Sequence, residues 1–376
     1  MGKTRTTVVL AASCVAALIG GSVDAARQAP AAPPAGAAAP AAPSPARGGG
    51  DPCGGRSAQP QVPCENDVRR MMAVLPATAP AKPQRPHRVL VLGATRGYVH
   101  SSIPLAAKMV EEMGKKTGAW AATDVSYDAS AINEANLKQY DLIFLANTTG
   151  SFLDVPNDQA TTDARRKAFM DFVRSGKGVA GIHAAGDSYH GFPPGAARGA
   201  RGGGRAAGGP PPAPPPPCTG GGTPGGGGGE PLWPEFNRMI GGYFKFHWLY
   251  PTPITVKVDD PASPINAAFK GRSFNTIDEV YTFNQASFSR TNVHVLTSID
   301  YNLMNDCDKG LESSKRTDGD YALSWIRREG NGRVFYQALG HHESIYYNNP
   351  AMLEHILAGI QYALGDLKAD DAPSAK

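Results

Sequence analysis

Three short apolar runs, each closing on a polar loop and separated by segments of helical period, most constrain what this chain can fold into. They are Arg88-Val89-Leu90-Val91-Leu92-Gly93, Asp141-Leu142-Ile143-Phe144-Leu145-Ala146 and Gly178-Val179-Ala180-Gly181-Ile182-His183. None shows the in–out alternation of a half-exposed strand. Continuous apolar runs of this length suit strands covered on both faces, the environment of a parallel sheet. After the first run, Ile103, Ala107, Val110 and Met113 recur at helical spacing, with Pro104 in the first turn, and Thr123 to Tyr127 reads as a further strand. After the second run comes a helix with Thr162 or Asp163 as its cap, Ala168, Phe169, Phe172 and Val173 inward, and Gly176 as its stop. This alternation predicts an α/β fold with a mostly parallel central sheet covered by helices on both faces. The second half adds strand runs at 254–258, 293–298, 321–327 and 333–338, some expected to pair antiparallel at the sheet's edge. A final amphipathic helix is expected from about Pro350 to Leu364, with Met352, Ile356, Ile360 and Ala363 on one face.

Much of the chain cannot contribute to that core. Residues 26–50 are mostly Ala, Pro and Gly, and residues 191–230 are nearly all Gly, Pro, Ala and Arg. Such stretches lack the apolar content to offset their conformational entropy. About 270 residues remain for folding, enough for one sizeable core. The expected organisation is a signal peptide over 1–25, a low-complexity, disordered segment over 26–85 and a folded domain over 86–366. A disordered Gly/Pro-rich insertion at 191–230 interrupts the domain, and a disordered tail covers 367–376. The signal reading rests on Lys3 and Arg5, an apolar run from Thr7 to Gly20 too short to span a bilayer comfortably, and Val23-Asp24-Ala25 as a cleavage site. It predicts a periplasmic or secreted protein with no stable membrane span after the signal is removed. Cleavage would leave Cys53, Cys64, Cys218 and Cys307 in an oxidising compartment. Three connectivities are open to four cysteines. The pairing Cys53–Cys64 with Cys218–Cys307 closes a short loop and tethers the insertion. The formal net charge is +4, and several cations fall in the insertion; with no basic stripe carrying aromatics, nucleic-acid binding has no support.

In open α/β sheets ligands bind beyond the carboxyl ends of the strands. This sequence places His100 after the first run, Asn147 and Thr148 after the second, and His183 and Asp187 after the third. His341, His342 and Glu343 follow the last strand run, and His247 follows the insertion. A single histidine in such a loop is more often a hydrogen-bonded structural residue. Four at strand ends or adjacent loops are harder to explain as packing. They fit proton shuttling near neutral pH. They also fit a divalent metal site of the zinc class with a position open to water or substrate. The scattered spacing leaves both open.

Several segments, taken together, are more specific. Gly97-Tyr98-Val99-His100-Ser101-Ser102-Ile103, Asn147-Thr148-Thr149-Gly150, Gly181-Ile182-His183-Ala184-Ala185-Gly186-Asp187, Gly242-Tyr243-Phe244-Lys245-Phe246-His247, Asp278-Glu279-Val280-Tyr281 and Ala338-Leu339-Gly340-His341 occur in this order. The chain resembles the ThuA (trehalose-utilisation) family over about 88–365, with Gly186 standing where the family pattern has Thr. The resemblance implies a flavodoxin-like, three-layer α/β/α fold related to class I glutamine amidotransferases, with His183 in place of the nucleophilic cysteine. An imidazole does not readily form the thioester that glutamine hydrolysis uses, so no glutaminase activity is expected. It further implies a small-molecule carbohydrate partner, such as a disaccharide or its 3-keto derivative, and hydrolase or lyase chemistry; a non-catalytic carbohydrate-binding or scaffold protein is the rival. On this reading His183 and His100 form an acid/base pair, with Asp187 orienting an imidazole. His247 and His341 polarise an oxygen, directly or through a metal. Asp278 and Glu279 bind sugar hydroxyls or supply the base. Asn147, Thr148, Tyr243 and Tyr281 contact substrate.

Overall fold

A computed structural model describes residues 62–191, 218, 229–312 and 315–374. The expected signal peptide, Cys53 and nearly all of the Gly/Pro insertion lie outside the described residues. The first half runs α1 (Glu65–Val74), β1 (Arg88–Leu92), α2 (Ile103–Thr117), β2 (Ala122–Ser126), α3 (Glu134–Leu137), β3 (Leu142–Ala146), α4 (Gln159–Arg174) and β4 (Gly178–Ile182). The second runs α5 (Pro234–Ile240), β5 (Phe244–Val258), β6 (Phe274–Phe283), β7 (His294–Ile299), α6 (Asp306–Leu311), β8 (Ala322–Glu329), β9 (Gly332–Gln337), α7 (Ile345–Asn348) and α8 (Pro350–Leu364).

One nine-stranded sheet holds them in the order β2-β1-β3-β4-β9-β8-β7-β5-β6. β2, β1, β3, β4 and β9 pair parallel. β9, β8, β7, β5 and β6 pair antiparallel. The sheet is therefore mixed and not mostly parallel, which corrects the expectation. The reason lies in the connections. β8 and β9 are joined by a tight turn through Gly330, which has φ +58, and a tight turn permits only antiparallel pairing.

β3 and β4 are buried along their whole length, as continuous apolar runs require. Successive strand residues face opposite ways, so Gly178 and Gly181 look out from different faces of β4. A Cβ at Gly178 would strike the Ala363 carbonyl of α8 at 2.5 Å, and one at Gly181 would meet Ile240 of α5 at 3.1 Å. Helices thus cover both faces here. In α8, Leu353, Ile356, Leu357 and Ile360 are fully buried, each contributing roughly 1.5–3 kcal/mol of burial.

Three further expectations change. The segment 26–85 contains α1, whose Met71 is fully buried. The tail after 366 is ordered through 374: Arg328 pairs with Asp371, and the Ser374 N–H donates to the Val293 carbonyl. Helix α4 begins one turn earlier than expected, because the Asp158 carboxylate accepts the Thr161 N–H and supplies the cap. The Cys218–Cys307 disulfide is present. No helix among the described residues is long and apolar enough to cross a membrane.

The antiparallel half positions the site. Only Val256–Val258 of the long strand β5 pair with β7. The rest of β5 and the end of β6 run on as a two-stranded arm, which folds back over the carboxyl edge of the parallel strands. Phe283 packs edge-on against Tyr336 of β9, and Tyr281 lies 4.0 Å from the His183 ring. A bulge interrupts the arm: Trp248 pairs with Val280 and Thr252 with Asp278, so residues 249–251 stand opposite Glu279 alone. Bulges of this kind re-aim side chains.

Candidate active site

The loops beyond β1, β3 and β4 stay in register past the strand ends, through single bridges between Thr95 and Thr149 and between Gly150 and Ser188. They therefore hold His100, Asn147 and His183 at one level. His183 follows β4 directly and has φ +43, in the left-handed region that non-glycine residues seldom occupy. A sharp strand-to-helix turn of this kind pushes a side chain out over the edge of a sheet. The Tyr336 hydroxyl donates to the His183 carbonyl at 2.6 Å and fixes the turn. The His183 Nδ1–H donates to the Ala338 carbonyl at 2.8 Å. That bond fixes the ring's orientation, so Nε2 faces the interior of the cluster.

Three imidazoles meet there. The rings of His100 and His183 lie 5.1 Å apart, those of His100 and His341 5.1 Å, and those of His183 and His341 5.2 Å, all edge-on at 77–86°. Glu279 completes the group. Its Oε1 lies 3.6 Å from His183 Nε2, 3.3 Å from His341 Nδ1 and 2.9 Å from His247 Nδ1. The first is too long for a hydrogen bond, and the other two lack its direction. His100 Nδ1, His183 Nε2, His247 Nδ1 and His341 Nδ1 are all buried without a hydrogen-bond partner. Ligand atoms of His100, His183, Glu279 and His341 fall within 4.8 Å of one another.

The electrostatics follow from this crowding. Burial pushes the Glu279 carboxyl up, but His341, with the side chains of His183 and His247, outweighs it and holds the group well below the usual carboxylate range. Burial, reinforced by His183 and His341, drives His100 well below an ordinary imidazole. Burial lowers His341 too, yet Glu279 outweighs it and raises the group.

Expected site residues divide into those the fold brings together and those it does not. His100, His183, Glu279 and His341 form the cluster, with His247 against Glu279 and the Tyr281 ring against His183. Asp278 points the other way, as the neighbour of Glu279 on a strand must. It is fully buried and accepts the N–H groups of Gly340, His341 and His342 at 2.6, 3.2 and 3.0 Å. Its oxygens hold the loop that carries His341, and its complete burial keeps it from a sugar. Asn147 is likewise fully buried: its Nδ2 donates to Ser102 Oγ at 3.0 Å and its Oδ1 accepts the Ala184 N–H at 3.3 Å. Thr148 is buried beside Ser188. Both position loops. Asp187 does orient an imidazole, but that of His190, with which it makes a short hydrogen bond. His190 in turn stacks along Tyr243 and Phe244. Sequence reasoning missed His190, although its spacing three residues from Asp187 was available. It also missed Tyr98, whose ring lies 4.7 Å from His100, and Tyr336, for which no signal existed.

A cavity of about 520 Å³, lined by Pro83, Arg85, Gly118 and Trp120, lies at the opposite, amino-terminal edge of the parallel strands and gathers no comparable cluster.

Among solved structures the chain is similar to a ThuA-like protein from Bacteroides uniformis, at 20% identity over 74% of this chain and 93% of that one, with a TM-score of 0.48. It is also similar to a ThuA-like protein from Parabacteroides merdae, at 17% identity over 76% and 93%, with a TM-score of 0.44. No curated protein matches. The family model described as trehalose utilisation matches residues 88–203 and 220–363, a span that holds every cluster residue. With more than half its length under that model, the chain belongs to the ThuA, or trehalose-utilisation, family.

Proposed function

We propose that this chain is an exported ThuA-family enzyme, a hydrolase or lyase acting on oxidised sugars, with 3-keto-glycosides as the substrate class. The carrying observation is the mutual approach of three imidazole rings and one carboxylate at the carboxyl edge of the parallel strands. In a 3-keto-glycoside the carbonyl acidifies the C2 hydrogen. Its removal by a base leaves an enediolate, and the C1–O bond then breaks as the leaving oxygen takes a proton. In a hydrolase, water adds back across C1 and C2; in a lyase the unsaturated sugar is released. Such a reaction needs charge stabilisation for the oxyanion and separate proton carriers.

The central cluster supports the first need. His247 and the Asp187–His190 pair at its rim support the second. Tyr281, Tyr243 and Phe244 offer flat apolar surface suited to a sugar face. His183 stands at the turn where an amidotransferase-like fold would carry its cysteine, so glutamine hydrolysis is not expected. The expected leader over 1–25 supports a periplasmic or secreted location.

The test is incubation of purified protein with 3-keto-glucosides and with their unoxidised parents. Turnover of the keto-sugars alone is expected, falling by roughly 10²–10⁴-fold in His183→Ala. Equal turnover by wild type and variant would remove His183 from the reaction. Binding of a keto-sugar without turnover would make the chain a carbohydrate-binding protein.

A further inference from the structure

We propose that His100, His183, Glu279 and His341 bind a divalent cation of the borderline class, zinc being the type, in a site of three imidazoles and one carboxylate. The inference concerns the cluster on which the proposed function rests, but it stands on donor geometry and not on the identity of a sugar.

Three observations carry it. The first is spacing. Donors about 2.1 Å from a common tetrahedral ion are about 3.4 Å from each other. The Glu279 Oε1 lies 3.3 Å from His341 Nδ1 and 3.6 Å from His183 Nε2. The second is direction. A hydrogen-bonded network would aim N–H groups at the carboxylate, but the ring nitrogens pass it off-axis and stay unpartnered although buried. Three buried imidazole nitrogens without partners would each cost free energy, whereas one cation at their convergence satisfies them together. The third is the surrounding support. Metal-binding imidazoles usually donate their other N–H to a backbone carbonyl or carboxylate, as His183 Nδ1 does to Ala338. Asp278 clamps the backbone that carries His341. Imidazole with a single carboxylate selects zinc, iron, nickel or copper over magnesium or calcium, which prefer all-oxygen sets.

The test uses the chain freed of any affinity tag, stripped with a chelator and titrated with Zn²⁺ and Co²⁺. Uptake of one ion per chain is expected, with the visible absorption of low-coordinate cobalt and a melting temperature that rises with Zn²⁺ and falls with chelator. Glu279→Gln and His341→Ala, each checked for folding by circular dichroism, should weaken binding by at least roughly 10–100-fold. His294→Asn, a histidine outside the cluster, should bind as the wild type does. Absence of uptake with an unchanged melting curve would overturn the site, as would uptake undiminished in both cluster variants. Metal uptake without keto-sugar turnover would uphold the site and sink the sugar reading. Turnover by a chain that takes up no metal would do the reverse.

Discussion

The two edges of the parallel strands each bury histidine beside carboxylate, and they do so in opposite ways. At the amino-terminal edge, Asp141 accepts from Arg85 at 2.5 Å and Lys177 at 2.6 Å, and His87 sits between Asp141 and Asp366. Asp141 there is matched by two cations at hydrogen-bonding distance. At the carboxyl edge, a single carboxylate oxygen of Glu279 faces three imidazoles, and the matching second acid, Asp278, is turned onto backbone N–H groups. Burial and residue type alone therefore do not tell the two clusters apart. What sets the carboxyl edge apart is convergence: several unpartnered ring nitrogens crowd one carboxylate oxygen there, whereas His87 Nδ1 and His355 Nε2 are unpartnered singly.

The largest expected effect separates the edges by function. Glu279→Gln should lower keto-sugar turnover by roughly 10³-fold, the scale of a group acting on developing charge, while the metal-free variant melts close to the metal-free wild type. A large drop in melting temperature with activity intact per folded molecule would reverse the two edges' roles.

His355 sets a baseline for a histidine in neither cluster. Its Nδ1–H donates to the Ile265 carbonyl at 3.2 Å, and burial pushes its pKa down to about 4 from 6.5. The unfolded chain binds the extra proton between those values. Stability is therefore complete above pH 6.5 and declines as pH falls toward 4, by about 3 kcal/mol in total. Urea unfolding of wild type against His355→Gln should show that slope in the first and not in the second.

The amino-terminal edge should respond next. Burial raises the Asp141 carboxyl, but Arg85, Lys177 and the Arg88 N–H outweigh it and hold it at about 2, below 3.8. Its contribution is present above pH 3.8 and lost as pH falls through 2. After discounting for the half-exposed Arg85, Asp141→Asn should cost about 1–2 kcal/mol at neutral pH. The folded variant should turn over keto-sugar at the wild-type rate; a loss beyond the fraction unfolded would break the separation.

The smallest effect concerns Gly186, where a Cβ would stand 2.6 Å from the Tyr336 hydroxyl. Gly186→Ala should displace that hydroxyl from the His183 carbonyl and reduce turnover several-fold, with stability lowered by about 1–3 kcal/mol, the cost of overpacking. Unchanged kinetics would show that the turn at His183 does not need Tyr336.

The parallel half was legible because its signal is local. β1, β3 and β4 are continuous apolar runs, and their carboxyl ends mark where His100 and His183 must stand. The antiparallel arm was not. β6 has no clean alternation, with Asp278 and Glu279 both buried, and the bulge that aims Glu279 depends on pairing with a strand about thirty residues away. Hence the sequence leaves Glu279 as a sugar ligand or a base and His247 as a group that polarises an oxygen directly or through a metal, whereas the arm's register brings Glu279 into the cluster with His247 against its Oε1. Asn147 and Asp278 were misplaced for a related reason. A polar residue at a strand end can serve the ligand or the loop, and only the position of the backbone N–H groups it satisfies decides which.

The most direct measurement is anomalous diffraction from zinc-loaded crystals. The predicted result is one strong peak within about 2.0–2.2 Å of nitrogen or oxygen atoms from His100, His183, Glu279 and His341. Rings turned into separate neighbourhoods, or a peak held by other residues, would contradict the convergence.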